Sequence, residues 1–340
     1  MLTLMLPALR AEAENLGELT LSGLLIEPAF TLDEPKRGHF DIGRSFIAAS
    51  WIRDEMISAK MKLGSKSLIG QPARYGPGPT DELGLIEAYG QADTSFGMLR
   101  AGLVPIQYGL EGGDIEEQLR FPRSFIYSKR IVNLRDHGVS YHIDNKGFFT
   151  DFAVHNGEGG PDLDNEIWVT GRWGWQSPRA IRMGFSGTTG GTTPLSTDPD
   201  GTSSSTEAGL NVDESSRIRI ANAFLSWRFD PFLFETEASG GDVIQDSGVE
   251  KIRGIRGDFE YRSSDRFSWL VRYDSYDPSD SPKDREIEYT AGWAWRSKYE
   301  NSVLYIFGSK VVQENVEQDT HRLQILWRLT PTASGFGTRL

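Results

Sequence analysis

The feature that most constrains this chain is the parity of its connections. Sixteen segments alternate or run apolar and are bounded by turn residues: 18–28, 40–53, 56–69, 84–94, 97–108, 131–143, 148–157, 166–176, 179–190, 216–229, 232–243, 249–263, 267–276, 285–297, 302–313 and 320–330. After the even-numbered segments the connections are short: Asp54-Glu55, Ser95-Phe96, Asp144 to Gly147, Ser177-Pro178, Asp230-Pro231, Ser264 to Arg266 and Lys298 to Asn301. After the odd-numbered ones they are mostly longer, with extremes at Gly109 to Arg130 and Gly191 to Ser215. A soluble sandwich has no reason to sort its loops this way, whereas a membrane barrel with short periplasmic turns and long outer loops does. The expected fold is an all-β, 16-stranded antiparallel transmembrane β-barrel with an inward-folded third loop.

The faces of the segments agree. Ile167, Val169, Gly171, Trp173 and Trp175 oppose Trp168, Thr170, Arg172, Gly174 and Gln176; Ile57, Ala59, Met61 and Leu63 oppose Ser58, Lys60, Lys62 and Lys66. Period two sends alternate side chains to opposite faces, so one face meets lipid and the other lines a wet interior. The sheet must close, because an open edge in hydrocarbon leaves backbone groups unpaired at several kcal/mol each. Trp175, Trp295, Trp327 and Tyr299 lie near strand ends and suit an aromatic girdle. Segments 18–28 and 40–53 alternate weakly, which predicts a register slip or a bulge.

Composition narrows the class. Hydrophobic residues make up 38% of 340, and no window approaches the roughly 18 apolar residues of a membrane helix. There is no Cys, which fits an oxidising compartment. The net charge of −12 argues against nucleic acid as a partner. Residues 1–13 read as a truncated signal peptide, with apolar Met1 to Leu9 and small residues at Ala11 and Ala13. The barrel is expected over 14–330, with 331–340 as a C-terminal tail.

The interior face carries charge of both signs. The lumen-lining cations are Lys60, Lys62, Arg100, Arg135, Arg172, Arg182 and Arg256, joined by Arg228, Arg272, Arg296 and Arg328. The anions include Glu87, Asp93, Glu235, Glu237, Asp258, Glu260, Asp274, Glu286 and Glu288. The two sets either segregate across the lumen or neutralise each other, and for any single Arg an ion pair that stiffens the wall is favoured over a solute contact. The long loop 109–130 interleaves Arg120, Arg123, Lys129 and Arg130 with Phe121, Pro122, Phe125 and Tyr127. It is too apolar to wave in water, and loops this long are usually functional; folded inward, it narrows the channel.

Three runs carry a family resemblance: Arg100-Ala-Gly-Leu-Val-Pro-Ile-Gln-Tyr-Gly-Leu-Glu111, Arg135-Asp-His-Gly-Val139 and His155-Asn-Gly-Glu-Gly159. Together, over 97–160, they resemble the phosphate-selective porin O and P family, in which such a strand enters the third loop. The resemblance implies an outer-membrane, typically trimeric channel passing anions such as phosphate. It places selectivity on Arg and Lys of the inward loop, here matched by Arg120, Arg123, Lys129 and Arg130. The implied partners are the outer-membrane bilayer, lipopolysaccharide, small anionic solutes and two further copies of the chain. Asp114, Glu116 and Glu117 in the same loop depart from that pattern, as does the tail 331–340 beyond the last strand.

No enzyme and no cofactor or metal is expected. A hydrolase needs a nucleophile held by a base, and of five His, His137 and His142 differ in parity while His155 falls in a hairpin loop and reads as a solvated turn residue. The other reading is a non-conducting barrel, a structural anchor or a sheath around a partner protein.

Overall fold

The computed structural model describes residues 17–33, 38–65, 83–112, 118–129, 131–157, 166–178, 180–192, 216–246, 248–279, 284–298, 302–314 and 319–330. The signal-like 1–13, Arg130, Asp114, Glu116, Glu117, Tyr299 and the tail 331–340 lie outside them. Eighteen strand segments form one antiparallel sheet. They are β1 (Glu18–Leu25), β2 (Pro28–Asp33), β3 (His39–Ile42), β4 (Phe46–Ile52), β5 (Ile57–Ser65), β6 (Leu83–Thr94), β7 (Gly97–Pro105), β8 (Arg135–Asn145), β9 (Phe148–His155), β10 (Trp168–Gln176), β11 (Ile181–Thr192), β12 (Ser216–Phe229), β13 (Phe232–Gln245), β14 (Gly248–Ser264), β15 (Phe267–Asp277), β16 (Glu286–Arg296), β17 (Ser302–Gln313) and β18 (Thr320–Leu329). One helical turn, α1 (Phe125–Ser128), lies in the loop between β7 and β8.

The first four segments make two broken staves. β1 pairs β4 from Glu18↔Ile52 to Leu25↔Phe46, and β2 continues on β3 from Pro28↔Ile42 to Thr31↔His39. With each broken pair taken as one stave, the eighteen described segments form sixteen staves. β18 pairs β2 from Arg322↔Asp33 to Leu326↔Ala29, and Ile26↔Leu329 adds a bridge, so the sheet closes. The breaks explain the weak alternation of 18–28 and 40–53. Glu27 sits in one and Arg44 in the other, both buried, joined at 2.9 Å, and Arg328 reaches Glu27 at 2.8 Å across the seam. A strictly alternating strand would not have turned both side chains to one partner there.

Burial is the reverse of a soluble protein's. Lys62, Glu87, Arg172, Arg256, Asp258 and Arg272 are buried on the inner face, while Met61, Leu63, Trp173, Phe185, Trp227, Trp269 and Trp327 are exposed on the outer one. An apolar exterior in contact with lipid is the physical reason. No helix among the described residues is long and apolar enough to cross a membrane, so any crossing is by strands.

The loop parity holds with one exception. Connections 53–56, 95–96, 146–147, 177–180, 230–231, 265–266 and 297–301 lie at one end; 34–38, 66–82, 106–134, 156–167, 193–215, 278–285 and 314–319 lie at the other. Residues 246–247 are a tight connection at the long-loop end, between strands of 14 and 17 residues. Two boundaries need correction. The first stave runs on to Asp33, and β8 begins at Arg135, because Ile131, Val132 and Leu134 are buried with the loop.

Candidate pore constriction

The loop between β7 and β8 lies against the inner wall of β12–β15. The inner face there breaks the polar rule: Ile218, Ile220, Val243, Ile252 and Tyr276 point inward and form one buried cluster with Tyr108, Phe125, Ile126, Tyr127, Ile131, Val132 and Leu134. Phe121 packs farther round, with Leu270, Ala294, Tyr305, Phe307 and Leu326. These inward apolar side chains would cost free energy in a water-filled lumen; here they receive the loop's aromatics.

Carboxylates then fix the loop's backbone. Gly109 has φ +58°, and a Cβ there would meet Glu237 Oε2 and Tyr127 Oη, so the turn requires glycine. Glu237 accepts the N–H groups of Leu110 (2.8 Å) and Glu111 (3.0 Å) and the Tyr127 hydroxyl (3.0 Å). Asp274 accepts the Phe125 N–H at 2.7 Å, in the first turn of α1. Arg172 donates to the Gly109 carbonyl (3.1 Å), Arg44 to that of Phe121 (3.0 Å), and Arg272 and Arg328 to those of Pro122 and Leu119.

Glu111 is the loop's own anchor. Its carboxylate lies 2.7 Å from Arg256 and 2.7 Å from Arg272, and accepts the Ser124 N–H and hydroxyl at 2.9 Å each. Burial alone would raise its pKa, but Arg256 and Arg272 overrule it and hold the group at about 2. Tyr127, raised by burial and then by Glu237, stays a protonated donor.

Two of the expected loop cations go to separate wall carboxylates, and a third turns back on the loop. Arg120 bridges Glu235 (3.0 Å) and Glu260 (2.8 Å), Lys129 meets Glu286 at 2.5 Å, and Arg123 donates to the Glu111 carbonyl beside the Tyr127 ring. Among the wall cations, Lys60, Lys62 and Arg135 converge on Glu87 at 3.2, 3.6 and 3.2 Å. Arg172 pairs with Asp151 at 2.7 Å, and Arg256 also reaches Glu235, Glu237 and Asp258. Arg182 lies over the Phe149 ring. Arg100 bonds Gln91 at 3.0 Å and lies over Tyr89, with no carboxylate partner among the described residues.

The pairs facing the open lumen are asymmetric. The Lys60 side chain is 33% exposed against 5% for Glu87; Arg120 is 19% and Arg296 25% against 5% for their shared Glu260. His142, over Asp151, is arranged the same way. In these pairs the carboxylates are sunk and their partners are presented. Lys129 and Glu286 are level, and in the pair of Arg322 with Glu288 the carboxylate is slightly the more exposed.

The anchoring role of Glu111, and the seam pair of Glu27 and Arg44, were missed by sequence reasoning. The available signal was a glycine, Gly109, two residues before an acid in an apolar loop. His155 also needs correction. It is buried, with Nδ1 2.7 Å from Asp136 and Nε2 2.9 Å from the Thr170 hydroxyl, because the wall beneath it is polar. Among the described residues no cluster of His, Asp and Glu could hold a metal ion.

Solved structures share this architecture. An anion-selective porin from Comamonas acidovorans superposes with a TM-score of 0.69 at 12% identity, over 92% of this chain and 99% of that one. The barrel is an outer-membrane porin fold. A loop-deleted OmpT, an outer membrane protein of Vibrio cholerae, gives 0.69 at 10% identity over 93% and 99%, and the DcaP channel of Acinetobacter baumannii gives 0.65 at 8% over 92% and 96%. These neighbours are outer-membrane barrels, and the outer membrane is where this fold resides. No family model and no curated protein matches the sequence. The expectation of no enzyme is corrected. The neighbours include the OmpT outer-membrane proteins, whose likeness at this identity carries the fold alone. The reading of His155 as a solvated turn residue, on which that expectation leaned, also fails.

Proposed function

We propose that the chain is an outer-membrane channel for passive diffusion of small ions, biased toward anions and phosphate-like solutes, with the loop 109–130 narrowing its lumen. The observation that carries this reading is the asymmetry of the lumen pairs. A solute in the open lumen meets Lys60, Arg120 and Arg296 before it meets Glu87 and Glu260, so the local field is positive although the chain's net charge is −12. Charge rings act on ions through what they present at the lumen surface. Arg100, which has no ion-pair partner among the described residues, and Arg182 extend the cationic strip, and a guanidinium can hold two oxygens of one oxyanion. The Comamonas neighbour is an anion-selective porin, which fits.

A homotrimer is part of the proposal. The outer face of β4–β7 is built mainly of Ile47, Ala49, Ala59, Met61, Leu85, Gly90, Leu99 and Ala101, with Trp51 at its short-turn end, while Phe152, Trp173, Phe185, Trp227, Trp269 and Trp327 stand on β9–β18. A face of mostly small and aliphatic side chains suits another copy better than a lipid boundary, and one OmpT neighbour is described in a trimer form. Purified protein in a planar bilayer is expected to give current steps in KCl that shrink when phosphate is added. Steps unaffected by phosphate would remove the phosphate-like part. Folded protein without steps would favour the anchor or sheath.

A further inference from the structure

The outer face carries one charged feature that conduction does not use. On β12 and β14, Ile218, Ile220 and Ile252 point inward and are buried, so period two turns Arg217, Arg219, Lys251 and Arg253 outward, and all four are exposed. The sheet register sets them side by side: Arg219 faces Asp242, which faces Lys251, and Arg253 faces Asp277, at 3.9 Å, on the next strand. Among the described residues Arg217, Arg219 and Lys251 have no ion-pair partner. Lys310, also on the outer face, is by contrast matched by Asp319 at 2.6 Å. Asp242 and Asp277 are the carboxylates within the group, so it keeps a surplus of positive charge.

Its height fits a membrane boundary. Arg253 and Lys251 lie about eight and ten residues above Tyr261 along β14, and Arg219 and Arg217 lie equally far above Trp227 along β12. At ~3.3 Å per residue and a strand tilt of about 40°, that is about 20–25 Å, the full height of an apolar belt. Directly below, Ala221, Ala223, Ala238, Gly240 and Gly257 point outward. A Cβ at Gly240 or Gly257 would meet nothing within 4 Å, so the surface is recessed there.

We propose that Arg217, Arg219, Lys251 and Arg253 bind the phosphates of an outer-leaflet glycolipid, lipopolysaccharide, with an acyl chain in the recess of Ala221, Ala238 and Gly240. Clustered cations at a lipid headgroup level attract anionic headgroups additively. The inference rests on the reading of the barrel as an outer-membrane protein with its long loops outward.

The test titrates bisphosphorylated and dephosphorylated lipid A into detergent-solubilised full-length protein, and into an Arg217→Gln/Arg219→Gln/Lys251→Gln/Arg253→Gln variant. The parent is expected to bind the bisphosphorylated form about tenfold or more tightly than the other, and the variant is expected to lose that difference. Equal binding of both forms by the parent overturns the site without needing the variant, as does a folded variant that keeps the preference. Bilayer conductance of the same parent preparation separates the two readings: current steps with no phosphate preference defeat the lipid site alone.

Discussion

Two regions of the lumen use the same chemistry to opposite ends. On the β13–β15 wall, Glu111, Arg256 and Arg272 are all buried and pair at 2.7 Å, sealed under the loop. On the β5–β8 wall, Lys60 pairs with Glu87 at 3.2 Å, but only the cation meets the lumen. A buried pair holds the loop because undocking takes Glu111 away from two guanidiniums at once. A half-buried pair sets the field because the presented partner is nearer the solute than the sunk one. Ion pairing in a channel therefore does not imply electrical neutrality toward the solute.

The largest effect should come from breaking the sealed side. Glu111→Gln takes from Arg256 and Arg272 the carboxylate that ties them to the loop and leaves them Asp258 on the wall, a loss of about 1.5–3 kcal/mol from docking. We expect larger single-channel steps and protease cleavage within 109–130, with the heat-resistant barrel band retained on gels; unchanged step size would break the comparison on that side. On the open side, Lys60→Gln with Arg100→Gln is expected to lower the chloride-to-potassium permeability ratio several-fold at constant step size. Glu87→Gln should move the same ratio the other way, and less, because the removed charge was already withdrawn from the lumen; a shift toward potassium would contradict the asymmetry.

The smallest effect is that of acid. A carboxylate whose folded pKa is depressed stabilises the folded arrangement fully above its unfolded value and loses that contribution as pH falls through the folded one. For Glu111 the window runs from 4.5 down to about 2. Step size at pH 5 should therefore match that at pH 7, with loop release only as pH approaches the lower limit. Release near pH 5 would mean that Glu111 does not lie between two guanidiniums.

The barrel was legible in the sequence because lipid outside and water inside impose period two on every stave, as in Met61 beside Lys60 and Lys62. Loop parity supplied the topology without any residue identity. The inward course of the loop was legible from Phe121, Phe125 and Tyr127, which need a wall to pack on. Its receptor was not, since Ile218, Ile220 and Ile252 alternate just as lipid-facing residues do and only the closed sheet shows them pointing inward. The pairing of Glu27 with Arg44 and Arg328 was hidden for a related reason: two breaks in the first hairpin suspend the alternation from which faces are read. The presented cations were named, but which member of each pair is sunk depends on side-chain reach across neighbouring strands, and sequence spacing along one strand carries no record of it.

The central claim is that the lumen presents positive charge despite an acidic chain. The zero-current potential of the purified protein in a planar bilayer across a KCl gradient tests it most directly. The account predicts a potential on the chloride side, and a potential on the potassium side would contradict it.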